Sequence, residues 1–285
     1  MKVIAFFMIV AALSTAAILY FSRDTSLSRL KQEGAIRIGY AIEAPYAFLK
    51  PGGEVTGESP EVAKRIVALL SIHHIEWRQS KFDSLISGLD AGRFDVIAAG
   101  MFITPERAQR ISFSEPTFHV RPGLLVAKNN PRHLHSYQQV VTLSDIKIAV
   151  ISGAVEEALL RQMGMPERRL VLVPDALSGR VAVESGVADG LALSLPTIQW
   201  MAIREQLGKT ELAHPFEPPE PASNERLGFG AFAFRKEERR LQSAWNAALK
   251  TFIGSPEHRA LISQFGFTGA ELPGSVTTKE VLSPR

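Results

Sequence analysis

Phe102-Ile103-Thr104-Pro105-Glu106-Arg107 carries the side chains best suited to grip an anion. Thr104 is a helix-capping residue, Pro105 suits the first helical position, and Glu106 complements the positive dipole end. Arg107 then falls one turn in, where its planar fork can hold a carboxylate through two hydrogen bonds. The helix end offers backbone donors to the same anion. The plainer reading is a well-formed helix start with a solvated arginine. A second candidate is Glu43-Ala44-Pro45-Tyr46-Ala47-Phe48. It follows an alternating strand, and open α/β sheets bind ligands beyond the carboxyl ends of their strands. Glu43 can neutralise a cation and Tyr46 can stack on one. The plainer reading here is an exposed loop with one packed aromatic.

Other chemistries find little support. The chain has no cysteine, so disulfides, thiolate metal sites, cysteine nucleophiles and a lipid-modified N-terminal cysteine are excluded. The seven histidines (His73, His74, His119, His133, His135, His214, His258) show no helical metal-ligand spacing. There is no nucleophile elbow and no phosphate-binding P-loop. Gly228-Phe229-Gly230-Ala231-Phe232-Ala233 imitates a dinucleotide fingerprint, but its alternation makes it a strand rather than a strand-to-helix turn. No catalytic residue, cofactor or metal is therefore predicted. A net charge of +3, from 32 basic and 29 acidic residues, is no nucleic-acid signature.

The elements that must position these residues are mostly alternating strands and helices. Of the 285 residues, 46% are hydrophobic and 21% charged, an ordinary globular balance. Lys2 and the apolar run Val3 to Phe21 resemble a secretory signal, yet the run is long enough for a membrane anchor. Either outcome puts the chain from about Arg23 onward outside the cytoplasmic membrane. Strands are expected at 35–40, 75–78, 94–100, 124–127, 147–151, 170–173, 190–193 and 228–234. Helices are expected at 59–70, with Ser59 as cap, and at 82–90, 178–184, 196–206, 241–253 and 256–265, with others opening at Thr104 and after Ala154. This alternation argues for α/β layers with mainly parallel sheets. Polar breaks near 128–131 and 215–224 suggest two crossovers. They predict one lobe from 34–127 plus 225–285, a second from 131–221, and a hinge between them, with residues 1–22 as signal or anchor.

The run from Lys81 to Arg107, with Ile111-Ser112-Phe113-Ser114-Glu115-Pro116, resembles the extracellular solute-binding proteins of polar amino-acid ABC importers. The likeness extends from about Gly34 to about Leu282. Glu43 to Ala47, Gly57 to Ala63, Ala98 to Arg107, Gly153 to Glu156 and Phe265 to Thr268 resemble the ectoine/hydroxyectoine-binding subgroup most. The resemblance implies a two-lobed periplasmic-binding-protein-like α/β fold, with lobes that close on a small zwitterionic ligand. It also implies an extracytoplasmic monomer that docks on a membrane permease. Carried over by position, Arg107 would hold the ligand carboxylate and Glu43 would face its delocalised cation. Tyr46, Phe82 and Phe102 would cage the ring, Glu156 would reach in from the second lobe, and Thr104 is counted with them as ligand-binding. Amino-acid binders of the family usually place an aspartate after the strand at 190–193, where this chain has Ser194-Leu195-Pro196. That departure weighs against an ordinary α-amino acid. An amino-acid receptor, a membrane-tethered sensor and a cyclohexadienyl dehydratase-like enzyme on the same fold remain the alternatives.

Overall fold

The computed structural model describes residues 24–204, 208–219 and 226–283. The Val3 to Phe21 segment lies outside the described residues. Among those described, no helix is long and apolar enough to cross a membrane.

Fourteen strands form two large sheets and two small ribbons among the described residues. In the first sheet, β1 (Ala35–Tyr40) sits between β4 (His74–Gln79) and β5 (Val96–Ile97), parallel to both. The sheet continues through β14 (Ala233–Arg235), antiparallel to its neighbours, to β6 (Ile111–Phe113). In the second, β9 (Ile148–Ile151) sits between β10 (Leu170–Val173) and β11 (Gly190–Ser194), again parallel. Beyond β11 come β8 (Pro122–Ala127) and β12 (Thr210–Leu212), both antiparallel to their neighbours. The sheets are thus mixed, whereas mainly parallel ones were expected. β9 and β11 are buried at every position, as strands covered on both faces must be.

Helices cover these sheets by presenting one apolar stripe each. In the helix Arg239–Phe252 the buried residues are Leu241, Trp245, Leu249 and Phe252, spaced four, four and three. They join Val62, Ala63, Ile66 and Val67 of the helix Glu58–Leu69 in the main core of the first lobe. At the start of β5 the Asp95 carboxylate accepts hydrogen bonds from Arg37, Arg29 and Arg235. Burial pushes its pKa up, but the hydrogen bonds from Arg37 and Arg29 outweigh that and hold it below the usual carboxylate range.

The observed chain path moves the first lobe boundary. The strand β8, expected in the first lobe, is hydrogen-bonded into the second sheet. The polar break at 128–131 is a turn within the second lobe, where Asn129 and Asn130 take positive φ and Lys128 N donates to the Lys209 carbonyl. The crossover lies instead at a two-stranded ribbon. There β7 (Phe118–His119) pairs antiparallel with β13 (Phe229–Gly230), and Val120 N donates to Gly228 O at 3.0 Å. Gly230 is required at this ribbon, since a Cβ there would lie 1.9 Å from the Phe118 ring. Glu217 N still bonds His135 O in the second lobe, so the return crossing falls after it. The expected crossover at 215–224 lies partly outside the described residues. The remaining ribbon pairs β2 (Phe48–Leu49) with β3 (Val55–Thr56).

Other expectations shift by small amounts. Ser59 does not cap the helix Glu58–Leu69: Gly57 holds that position, and Ser59 Oγ donates to Glu58 and accepts from Gly100 N. The 94–100 strand contracts to Val96–Ile97, and the 228–234 strand splits into β13 and β14.

Candidate functional site

Six of the seven expected site residues converge on one small cavity where the lobes meet. Glu43, Tyr46, Phe82, Phe102 and Arg107 line it from the first lobe, and Glu156 from the second. Gly100, Ala154, Val155 and Ser194 complete the wall. Each follows the carboxyl end of a strand or opens the next element: Glu43 after β1, Phe102 after β5, Glu156 after β9, and Ser194 at the end of β11. The seventh residue, Thr104, is outside the lining. Its Oγ1 accepts from Arg107 N at 3.2 Å and caps the four-residue helix Pro105–Ala108, so that backbone donor is already used.

Arg107 is buried, with 9% of its surface exposed. Its Nη1 donates to Phe102 O and its Nη2 to Gly153 O, each at 2.8 Å. Among the described residues it has no ion pair. Its guanidinium carbon lies 5.5 Å from the centre of the Phe82 ring. Burial lowers its pKa to about 10, with Glu156 and Glu106 opposing, so it stays charged at neutral pH. A buried cation whose hydrogen bonds go only to carbonyls retains donors for an incoming anion.

The two carboxyls face different constraints. Glu43 is half-buried as a residue, but its carboxyl end is enclosed, and that enclosure pushes its pKa up to about 7 against the hydrogen bond from Thr197. Glu156 opens the helix Val155–Gln162, whose capping residue Ala154 has no side-chain acceptor. Burial first, then the Glu43 carboxylate, raises its pKa to about 7, while its own backbone N–H and Arg107 pull it down.

The aromatic wall is closely packed. Tyr46 packs edge-on to Phe102 at 6.5 Å between ring centres and tilted against Phe118 at 5.1 Å. Phe267 closes the cluster 5.7 Å from both Tyr46 and Phe118. Gly100, at φ 63°, makes room for it, since a Cβ would lie 2.5 Å from the Tyr46 ring. Phe82 is only partly buried and packs against apolar residues of both lobes. Val155 and Trp200, from the second lobe, pack into the first lobe's core, so the lobes are closed on one another.

Closure leaves a cavity of about 20 Å³. That is room for roughly one water, so a larger solute does not fit this cavity as it stands. Sequence reasoning did not assign Ser194 or Thr197 to the site. Tyr46 OH donates to Ser194 Oγ at 2.9 Å, and Thr197 Oγ1 donates to Glu43 Oε1 at 2.9 Å. The family resemblance marks Ser194 only as standing where amino-acid binders carry an aspartate, and nothing marks Thr197.

Comparisons with known proteins agree with this geometry. A probable amino-acid ABC transporter periplasmic-binding protein, y4tE, from Sinorhizobium fredii (strain NBRC 101917 / NGR234) is 35% identical over 283 residues, covering 96% of this chain and 92% of that protein. The crystal structure of EhuB in complex with hydroxyectoine superposes with a TM-score of 0.83 at 30% identity, over 92% of this chain and 100% of that one. The ancestral amino acid-binding protein AncCDT-1, a precursor of cyclohexadienyl dehydratase, shares the fold with a TM-score of 0.73 at 24% identity, over 84% of this chain and 99% of its own. Residues 36–268 match the bacterial extracellular solute-binding proteins, family 3, and the chain belongs to that family of extracytoplasmic receptors.

Proposed function

We propose that this receptor captures ectoine or hydroxyectoine and delivers it to the permease of an ABC importer, without turnover. The observation that carries the reading is the buried Arg107, with no ion pair among the described residues, in one cavity with three aromatic rings and two carboxyls. Arg107 receives the ligand carboxylate. The cyclic amidinium, whose charge is spread over a planar group, lies against Tyr46, Phe82 and Phe102, with Glu43 and Glu156 as counter-charges. Each cation–π contact contributes roughly 0.5–2 kcal/mol. The likeness to EhuB, solved with hydroxyectoine, supports the choice of ligand.

An amino-acid receptor is the second reading, favoured by the name of the Sinorhizobium relative. Against it, β11 ends in neutral Ser194 where an α-ammonium would call for a carboxylate. An enzyme on the same fold needs a positioned acid or base, and Glu43 and Glu156 have the raised pKa values for it.

A thermal-shift screen with ectoine, hydroxyectoine, glycine betaine, proline and the twenty amino acids tests the proposal. A ligand at a hundred times its Kd stabilises the folded state by about 2.7 kcal/mol. A shift confined to the ectoines supports it. A shift with amino acids alone replaces the ligand but keeps the receptor. Conversion of prephenate or arogenate replaces the receptor with the enzyme.

A further inference from the structure

Four oxygen-bearing side chains form an unbroken chain across the cleft. Tyr46 OH meets Ser194 Oγ at 2.9 Å, Ser194 Oγ meets Thr197 Oγ1 at 3.1 Å, and Thr197 Oγ1 meets Glu43 Oε1 at 2.9 Å. The ends belong to the first lobe and the middle to the second. Tyr46, Ser194 and Thr197 are 2%, 3% and 0% exposed. Each hydroxyl carries a single proton, and an ionised carboxylate only accepts. With Glu43 ionised, the Thr197 proton goes to Glu43, which commits the Ser194 proton to Thr197 and the Tyr46 proton to Ser194. The chain therefore runs one way, towards Glu43. Parting the lobes breaks its first and last bonds together and leaves only the Ser194–Thr197 bond within the second lobe.

We propose that Ser194 and Thr197 are positioning residues that latch the lobes and hold Glu43 as an acceptor facing the ligand's cationic group. The latch stands on geometry alone. The second role rests on the reading that Glu43 meets a cation. Thr197 is the donor that opposes the effect of burial on Glu43. The other charged or titratable groups around Glu43 are Glu156 and Arg107, which share its cavity, and Tyr46 beside it. Changing Thr197 leaves all three in place. Tyr46 and Ser194 are hydrogen-bonded to Glu43 only by way of Thr197, so their loss should affect closure more than the protonation of Glu43.

The test uses the full chain and the variants Tyr46→Phe, Ser194→Ala, Thr197→Val and Thr197→Ser. Small-angle X-ray scattering with and without ectoine reads closure, and calorimetric titration with ectoine between pH 5 and 9 reads binding. Tyr46→Phe, Ser194→Ala and Thr197→Val are expected to show a larger radius of gyration than the wild type. Each should also bind ectoine about three- to tenfold more weakly at high pH, the scale of one hydrogen bond and of a smaller closed population. Only Thr197→Val should also lose binding at a higher pH on acidification, because Glu43 without its donor is harder to ionise. Thr197→Ser, which retains the donor, should restore the wild-type pH profile, and it remains a fair test if Thr197→Val fails to fold. Radii and affinities matching the wild type in all the variants would overturn the latch. An unmoved acid limb in Thr197→Val would overturn the positioning of Glu43. Failure of ectoine to bind the wild type would remove the proposed ligand, and scattering would still decide the latch.

Discussion

Arg107 Nη2 donates to the Gly153 carbonyl at 2.8 Å, so the guanidinium of the first lobe is tied to the second by a backbone oxygen rather than a carboxylate. Such a bond is readily exchanged. An arriving carboxylate offers a charged acceptor to the same cation, and a charge-assisted pair is roughly twice as strong as a neutral one. Arg107→Ala is expected to cost at least about 2 kcal/mol of ectoine binding, the scale for losing a buried charge partner. Arg107→Lys should recover little of it, because a point charge cannot reproduce the two-pronged grip. Isothermal titration checks both, and unchanged affinity in Arg107→Ala removes the carboxylate from this position.

Phe102 has a double allegiance. It lines the cavity, yet it is 8% exposed and belongs to the main core of the first lobe. Phe102→Ala is therefore expected to weaken binding and also to lower stability by about 3 kcal/mol or more. Phe102→Leu should keep most of the stability while losing the π face. Chemical denaturation and titration of the two variants together separate packing from recognition. Equal affinity of Phe102→Leu and wild type would count against the cage.

The pH dependence of stability follows from Glu43. Its folded pKa of about 7 is above the ordinary 4.5. Between those values the native protein keeps a proton that the unfolded chain has released. The stability this group adds is complete below the lower value and is lost as the pH rises to the higher, by at most about 1.4 kcal/mol per pH unit. Glu43→Gln removes the effect, so its stability relative to wild type should improve from pH 4.5 to 7 and then level off. Ectoine affinity in the wild type should run the other way and rise with pH as the carboxyls ionise. Glu43 and Glu156 oppose one another's ionisation, so the observed midpoints belong to the pair. Denaturation curves across that range test the sign.

Gly100→Ala combines two faults: a positive φ and a Cβ placed 2.5 Å from the Tyr46 ring. A loss of more than about 1 kcal/mol is expected in urea denaturation, with weaker ligand binding because Tyr46 must move. A variant as stable as wild type would mean that the Tyr46 ring has another place to go.

Local signals in the sequence carried far, and their limits are physical. Thr104-Pro105 announced a helix start, and Thr104 does cap it. Glu43, Tyr46 and Arg107 stood out by type and position, Phe82, Phe102 and Glu156 came with the family resemblance, and all six line one cavity. The apolar run Leu124 to Ala127 reads as a strand, but nothing in its residues says which sheet β8 joins, and it went to the wrong lobe. The cross-lobe bonds of Ser194 and Thr197 stayed hidden for a similar reason. Their partners Tyr46 and Glu43 are 148 and 154 residues away, and only the closing of two lobes brings hydroxyl to hydroxyl. Ser59 looked like a cap because it precedes a proline, yet its hydroxyl serves the side chain before it.

Trp200 gives the molecule an optical gauge. It is carried by the second lobe, and its indole lies 5.3 Å from the Phe48 ring and 6.4 Å from the Phe265 ring, both in the first. The other two tryptophans, Trp77 and Trp245, belong to the first lobe's own packing. Opening therefore changes the surroundings of one fluorophore and leaves two as an internal reference. The emission of the unlabelled protein should report how far the jaws have parted, and Trp200→Phe should silence the signal while leaving the pocket intact.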